Sequence, residues 1–203
     1  MRATAVASET SAERGALRVL EQTGTCADGL IAGFLAAAAE RPSVLFSPVQ
    51  ILIAGPGVGS RALDGRCRQP GLGTKRPRGF QQSDTVPLAA LVAVPGSLGV
   101  LSLLHAYDAH LAFEKLAAPA AAHALAMGAP QRSALLSRVG RLGASALWDP
   151  QVARPLLSVA GPPEGGLLTE RDLAEVRPEG VAPLETALSP QFDAILEIGR
   201  AHV

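Results

Sequence analysis

Thr25 followed by Asp28 opens the stretch that most limits what this chain can fold into. In such a capping box the threonine hydroxyl accepts from the third amide of the helix, and the carboxylate reaches back to the cap amide. The helix it starts is predicted to run to Glu40, because Pro42 forbids continuation. Leu30, Ile31, Phe34 and Leu35 sit on it, with alanine filling the other sides. A helix apolar all round is buried between layers rather than lying on a surface. The chain has 203 residues, 48% of them apolar. A chain of that length buries roughly 70% of its unfolded surface, enough for one sizeable core. One domain, or a piece of a larger one, is expected.

The neighbouring elements follow from the same signals. Thr10 and Glu13 predict an earlier helix with its own capping box, closed by Gly24. Val49 to Ala54 is a short strand that Gly55-Pro56-Gly57-Val58-Gly59 turns back onto Ser60 to Asp64, a hairpin. Arg66 to Gly79 is a loop by composition. Leu91 to Val94 reads as another short strand, stopped by Pro95-Gly96, with Ser97 capping a helix through Leu104. Phe113 to Met127, with a fresh turn at Pro119, Arg132 to Leu142, and Pro150 to Val159 read as helices. Thr169 and Asp172 open one more short helix. Trp148 is expected in the core. The pattern is α+β.

Composition excludes more than it identifies. Formal net charge is zero, so nothing calls for nucleic acid or an anionic membrane. Arg61, Arg66, Arg68, Lys75, Arg76 and Arg78 form a basic run, but Phe80 alone could stack a base and no recognised nucleic-acid motif surrounds it. A solvated loop is the better reading. The glycines at 55–59 lack the Lys-Ser or Lys-Thr of a phosphate cradle. Cys26 and Cys67 match no metal spacing or disulfide framework, and the four histidines are scattered, so no metal is expected. Arg66 and Arg68 would favour a Cys67 thiolate, yet no local His partners it, and an inert thiol is the default. No signal peptide is visible, and the longest apolar stretch, Ala27 to Ala39, is short of the about 20 residues a bilayer needs. The compartment is open, cytoplasmic by default.

Several segments, in order, resemble the gamma-glutamyltransferases (glutathione hydrolases), members of the N-terminal-nucleophile hydrolases. Glu13-Arg14-Gly15-Ala16-Leu17-Arg18-Val19-Leu20, then Gly24 and Asp28, is similar to that family's opening helix, Gly-rich break and Ala-rich helix. Ala93-Val94-Pro95-Gly96-Ser97 resembles its Ala-Val-Pro-Gly-Thr turn. Leu116-Ala117-Ala118-Pro119-Ala120, Gly143 to Trp148, and Gly165-Gly166-Leu167-Leu168-Thr169 with Asp172-Leu173-Ala174 and Arg177-Pro178 continue the match. The resemblance implies the N-terminal, large-subunit region, part of a four-layer αββα sandwich whose sheets draw strands from both subunits.

The departures are local. Where the family carries Ser-Ser-Gly and a run of glycines, this chain has Leu45-Phe46-Ser47-Pro48-Val49-Gln50-Ile51. Where it carries Leu-Asp-Phe-Arg-Glu-x-Ala-Pro, this chain has Leu63-Asp64-Gly65-Arg66-Cys67-Arg68-Gln69-Pro70. The matched arginine, Arg66, is by resemblance the residue that grips the α-carboxylate of the γ-glutamyl group. A guanidinium suits that task because its planar fork makes two parallel charge-assisted bonds to one carboxylate. The family's nucleophile is the threonine that begins the small subunit, whose own α-amine can activate it. No catalytic residue is expected in this chain: Thr169 is a helix opener, and neither it nor Thr186 stands in the Thr-Thr-His context. The resemblance implies transfer or hydrolysis of γ-glutamyl groups from glutathione-type substrates without a cofactor, with the small subunit of the same precursor as partner and this chain inactive alone. The alternative is a non-catalytic binding or partner subunit. Residues 1–196 are expected to form the partial large-subunit domain. Glu197 to Val203 reads like one frame of a common sequencing adapter, so 197–203 are expected to be a non-native tail.

Overall fold

The structure, a computed structural model, describes residues 4–22, 24–55, 59–74, 85–189 and 192–196, with side chains through residue 183. The proposed tail at 197–203 and the basic residues Lys75, Arg76 and Arg78 lie outside the described residues. Helices α1 (Thr10–Glu21) and α2 (Cys26–Glu40) pack side by side. Small residues set their separation: a Cβ on Gly15 would fall 2.8 Å from Ala36 Cβ, and one on Gly33 2.8 Å from the Ala12 carbonyl oxygen. The capping box of α2 forms as predicted. Asp28 N donates to Thr25 Oγ1 at 3.1 Å, and Thr25 N donates to the Asp28 carboxylate at 2.9 Å. Ile31, Leu35, Ala38 and Ala39 are fully buried, whereas Leu30 looks outward.

The start of α1 differs from expectation. Glu9 is its cap and makes no side-chain cap bond. Thr10 is already the first helical residue, so Glu13 sits one position too deep to close a box with it. Instead Glu13 N donates to the Glu9 carbonyl at 3.1 Å. The end of α1 follows the sequence more closely: Gly24 N donates to Val19 O at 3.0 Å. A Cβ on Gly24 would lie 2.4 Å from Val19 Cγ1, so only glycine fits there.

The hairpin is present. Strands β1 (Val49–Gly55) and β2 (Gly59–Gly65) pair antiparallel from Val49↔Gly65 to Gly55↔Gly59. Strand β3 (Glu179–Val181) adds to the other side of β2. Strands β4 (Leu184–Ser189) and β5 (Phe192–Leu196) pair with each other. Helices α3 (Ser97–Asp108), α4 (Phe113–Ala126), α5 (Pro130–Leu142), α6 (Pro150–Ala160) and α7 (Glu170–Glu175) complete the order. The main core joins Ile31 and Leu35 of α2, Leu63 of β2, Leu101 and Leu104 of α3, Leu116 of α4 and Leu136 of α5. A smaller one gathers Val94, Ala153, Ala160, Leu168 and Leu173. The fold is α+β, with helices predominating.

Four local expectations are corrected. Residues 91–94 are not a strand: a 3-10 turn covers Leu88–Leu91, and Val94 makes one isolated bridge to Arg68. Pro95 has no amide hydrogen with which to carry that ladder further. Ser97 does not cap α3; Gly96 does, and Ser97, fully buried, donates its hydroxyl to the Leu45 carbonyl. Pro119 starts no new turn, and α4 runs through it unbroken. Trp148 is 41% exposed, because its neighbours Ala146 and Leu147 take the core side of the 3-10 turn Gly143–Trp148.

Asp28 does more than cap. It also accepts from His110 N at 3.2 Å and Leu111 N at 3.1 Å, the linker between α3 and α4. Removing it would leave part-buried amides in two segments without their acceptor. Asp28→Ala is expected to lower unfolding stability by about 3 kcal/mol, and Asp28→Asn by less, since the amide keeps one acceptor oxygen. Urea denaturation of the variants checks this; a loss below about 1 kcal/mol for alanine, the level of an average substitution, would show the clamp to be dispensable.

Candidate functional site

Arg66 directly follows Gly65, the last residue of β2, and two glycines decide where it goes. A Cβ on Gly65 would lie 2.5 Å from Val100 Cγ1 and 3.0 Å from Gly96 O. A Cβ on Gly96 would lie 2.6 Å from Gly65 O and 2.7 Å from Arg66 O. The end of β2 is thus pressed backbone to backbone against the start of α3. The chain then pairs with the segment before α3: Arg68 N donates to Val94 O at 2.9 Å, and Val94 N to Arg68 O at 2.8 Å.

The Arg66 guanidinium is oriented by Asp64. Arg66 Nε lies 2.9 Å from both Asp64 carboxylate oxygens, Nη2 lies 2.7 Å from Oδ2, and Arg66 N donates to Oδ1 at 3.0 Å. The arginine side chain stays 32% exposed and that of Asp64 11%. Burial pushes the Asp64 carboxyl upward. The hydrogen bonds from the Arg66 side chain and backbone, with the charges of Arg66 and then Arg68, outweigh it and hold the carboxyl below the ordinary 3.8.

The loop beyond Arg66 is tied down by a second capping aspartate. Thr169 and Asp172 form the predicted box of α7, with Asp172 N donating to Thr169 Oγ1 at 3.1 Å and Thr169 N to Asp172 at 2.9 Å. The same carboxylate accepts from Gly71 N at 2.8 Å and Leu72 N at 2.9 Å. Burial raises the Asp172 carboxyl; the amides of Gly71 and Leu72, then the hydroxyl and amide of Thr169, pull it below 3.8. Thr169 spends its hydroxyl on this cap. A cavity of about 220 Å³ lies beside the loop, lined by Arg68, Leu72, Val94, Asp172 and Glu179 among others. Arg66 is not in its wall.

The other sequence candidates separate. Arg68 pairs with Glu179 at 2.5 Å, and Arg61 lies 5.2 Å over the Tyr107 ring. Cys67 is half-buried, with Sγ 3.6 Å from Phe46 O. Burial pushes its thiol up, against a backbone hydrogen bond from Gly96, so the flanking arginines do not make it a thiolate. His105 Nε2 lies 2.8 Å from Leu111 O, and its ring meets Phe113 edge-on at 5.3 Å. Among the described residues no cluster of three or more His, Cys, Asp and Glu could hold a metal, and no helix is long and apolar enough to cross a membrane. Sequence reading missed the Asp64–Arg66 pair and the reach of Asp172; the i, i+2 spacing of the first was in plain view, whereas nothing local signals the second.

Both depressed aspartates contribute stability that is full above the unfolded value near 3.8 and is lost as pH falls through their lower folded values. For Asp172 this has a local readout. Asp172→Asn cannot accept from both Gly71 and Leu72, so exchange of those two amides is expected to rise at least about tenfold at neutral pH, one charge-assisted bond's worth. Wild type is expected to show the same release only below pH 3.8. Unchanged exchange in Asp172→Asn would dismiss the clamp.

No family model and no curated protein matches the sequence. Solved structures do match the fold. A gamma-glutamyltranspeptidase from Pseudomonas nitroreducens superposes with a TM-score of 0.81 at 17% identity, covering 96% of this chain and 70% of that one. The Helicobacter pylori gamma-glutamyltranspeptidase gives 0.80 at 17% identity, covering 96% and 69%. A cephalosporin acylase from Bacillus halodurans gives 0.73 at 20% identity, covering 87% and 42%. The ordered segments read from the sequence and the course of nearly the whole backbone therefore agree: this chain has the gamma-glutamyltranspeptidase fold.

Proposed function

We propose that this chain is the large-subunit part of a γ-glutamyl-transferring or γ-glutamyl-hydrolysing enzyme, and that Arg66 binds the α-carboxylate of the donor. The observation that carries this is the position of Arg66 at the mouth of β2, with its guanidinium fixed by Asp64 and partly open to solvent. A fixed guanidinium loses little freedom on meeting a carboxylate, which favours recognition by shape as well as charge.

The reaction is the family's: a threonine hydroxyl from a small subunit attacks the γ-carbonyl, the γ-amide C–N bond breaks and the donor's amine leaves with the hydroxyl's proton, and water or an amino acid then resolves the γ-glutamyl ester. In this reading the small subunit completes the four-layer sandwich, supplies the nucleophile, and no metal or cofactor takes part. Glutathione-type donors are the substrate class. The cephalosporin acylase on the same fold warns that fold alone does not fix the acyl group; Arg66 is what favours a donor bearing an α-carboxylate.

The non-catalytic alternative rests on one feature. Where the resemblance puts consecutive glycines, Leu45 to Ile51, the chain has the end of a 3-10 turn (Pro42–Phe46) and the start of β1, with Leu45 and Ile51 buried and the Cys67 thiol against Phe46 O. Side chains there occupy space that glycines would leave to a neighbour.

Expression of the chain with its downstream coding sequence tests both. Self-cleavage on a gel and hydrolysis of a chromogenic γ-glutamyl anilide are expected. Arg66→Ala should lower the donor kcat/KM at least about tenfold, as for loss of one partner of a desolvated charge pair. Arg66→Lys should recover part, because an ammonium cannot reproduce the two-pronged contact. Arg68→Ala, which breaks an exposed pair, should change it little. Equal small effects at both positions would sink the assignment of Arg66. Absence of cleavage and of activity in the wild type would establish the non-catalytic subunit.

A further inference from the structure

A groove of about 260 Å³ runs between α1, α2 and α4, on the helical side of the molecule. We infer that it is a binding site for a small amphipathic carboxylate. Its apolar lining comes from Val19 of α1, Ala32 and Ala36 of α2, and Leu116, Pro119 and Ala120 of α4. Ala32 and Ala36 present only methyl groups, which leaves room in the trough. The volume falls just below the range of about 300–1,000 Å³ usual for drug-sized ligands, so the occupant is small.

Its two arginines are on one side. Arg14 and Arg18 lie one helical turn apart on α1, both line the groove, and neither makes an ion pair or hydrogen bond among the described residues. Side chains at this spacing sit on one face and can close on one anion. On the opposite wall His123 Nε2 lies 3.1 Å from Glu40 Oε1, a contact that holds the acid to that side of the groove, away from the α1 arginines. Ser11 Oγ also lines the groove and is buried with no hydrogen-bond partner. A buried hydroxyl left unsatisfied in a native fold calls for a partner; a ligand carboxylate supplies one. Two unpaired cations and an unsatisfied donor beside an apolar trough fit an anion with a short hydrocarbon tail.

Isothermal titration of the 203-residue chain with butyrate, hexanoate and octanoate tests this, with hexanol as the uncharged comparison and circular dichroism to check that each protein is folded. Saturable one-to-one binding is expected, tightening by up to about fourfold per added CH₂ until the trough is full. Hexanol should bind at least about tenfold more weakly than hexanoate, the equivalent of one charge-assisted contact. Arg14→Ala and Arg18→Ala are surface changes that should each weaken octanoate about fivefold or more with unchanged melting. Ser11→Ala should weaken binding while leaving the melting temperature unchanged or higher, because the hydroxyl has no partner to lose. No saturation at 10 mM-scale octanoate, about the weakest affinity such contacts would give, overturns the site. So does binding indifferent to all three substitutions. A dimer in light scattering that Arg14→Ala and Arg18→Ala dissolve would assign the groove to a second copy of the chain and overturn it equally.

Discussion

Two buried carboxylates organise this fold. Asp28 and Asp172 each close a capping box at the start of a helix, and each then accepts two backbone amides from a segment far away in sequence. Asp28 carries no solvent exposure and Asp172 only 4%. A carboxylate that deeply placed is costly unless its lone pairs are filled. The helix cap fills part of the need, and the remote amides fill the rest. The two requirements are satisfied together or not at all, so each aspartate couples the start of a helix to the path of a distant loop. Asp28 ties α2 to the α3–α4 linker; Asp172 ties α7 to the loop that follows Arg66.

How much of this was legible in the sequence follows from range. Both capping boxes, the all-buried α2 and the β1–β2 hairpin were readable because their signals lie within a few residues. The errors came where one local rule met a competitor. Thr10 lost the cap to Glu9 by one position. Ser97 looked like a cap, but the tight approach of Gly96 to Gly65 moved the helix start and sent the serine to Leu45 O. Val94 lost its strand to Pro95. Trp148 lost its place in the core to two smaller neighbours. The Asp172–Gly71 contact spans 101 positions, and no periodicity reports on a pairing at that separation.

The candidate site was legible only in part. Arg66 was reached through resemblance, since a lone arginine in a basic loop carries no signal of its own. What the structure adds is the reason it is held: Asp64 lies two residues upstream on the same strand, and Gly65 between them is pressed against Gly96. With no Cβ at Gly65, the strand end approaches α3 more closely than any side chain would allow.

The charges around Arg66 also say how it could select a ligand. Asp64 offsets Arg66, and Glu179 offsets Arg68, at 2.7 and 2.5 Å. Each of these two cations is offset at contact range by its own carboxylate, and field reaching further is screened within about 10 Å at ordinary salt. Steering would therefore contribute little to capture of an anion, and selection falls to contact geometry. A guanidinium whose plane is set by a neighbour discriminates among anions by whether two oxygens can reach it in that plane. That favours a carboxylate presented rigidly, as on the α-carbon of an amino acid, over a diffuse or singly bonded anion. The groove between α1 and α4 is the opposite case. Its arginines are exposed, on flexible stems and unpaired among the described residues, so they would attract an anion by charge and leave selectivity to the apolar trough. The two places thus use the same residue type in different physical regimes, and the presence or absence of a partnering carboxylate separates them.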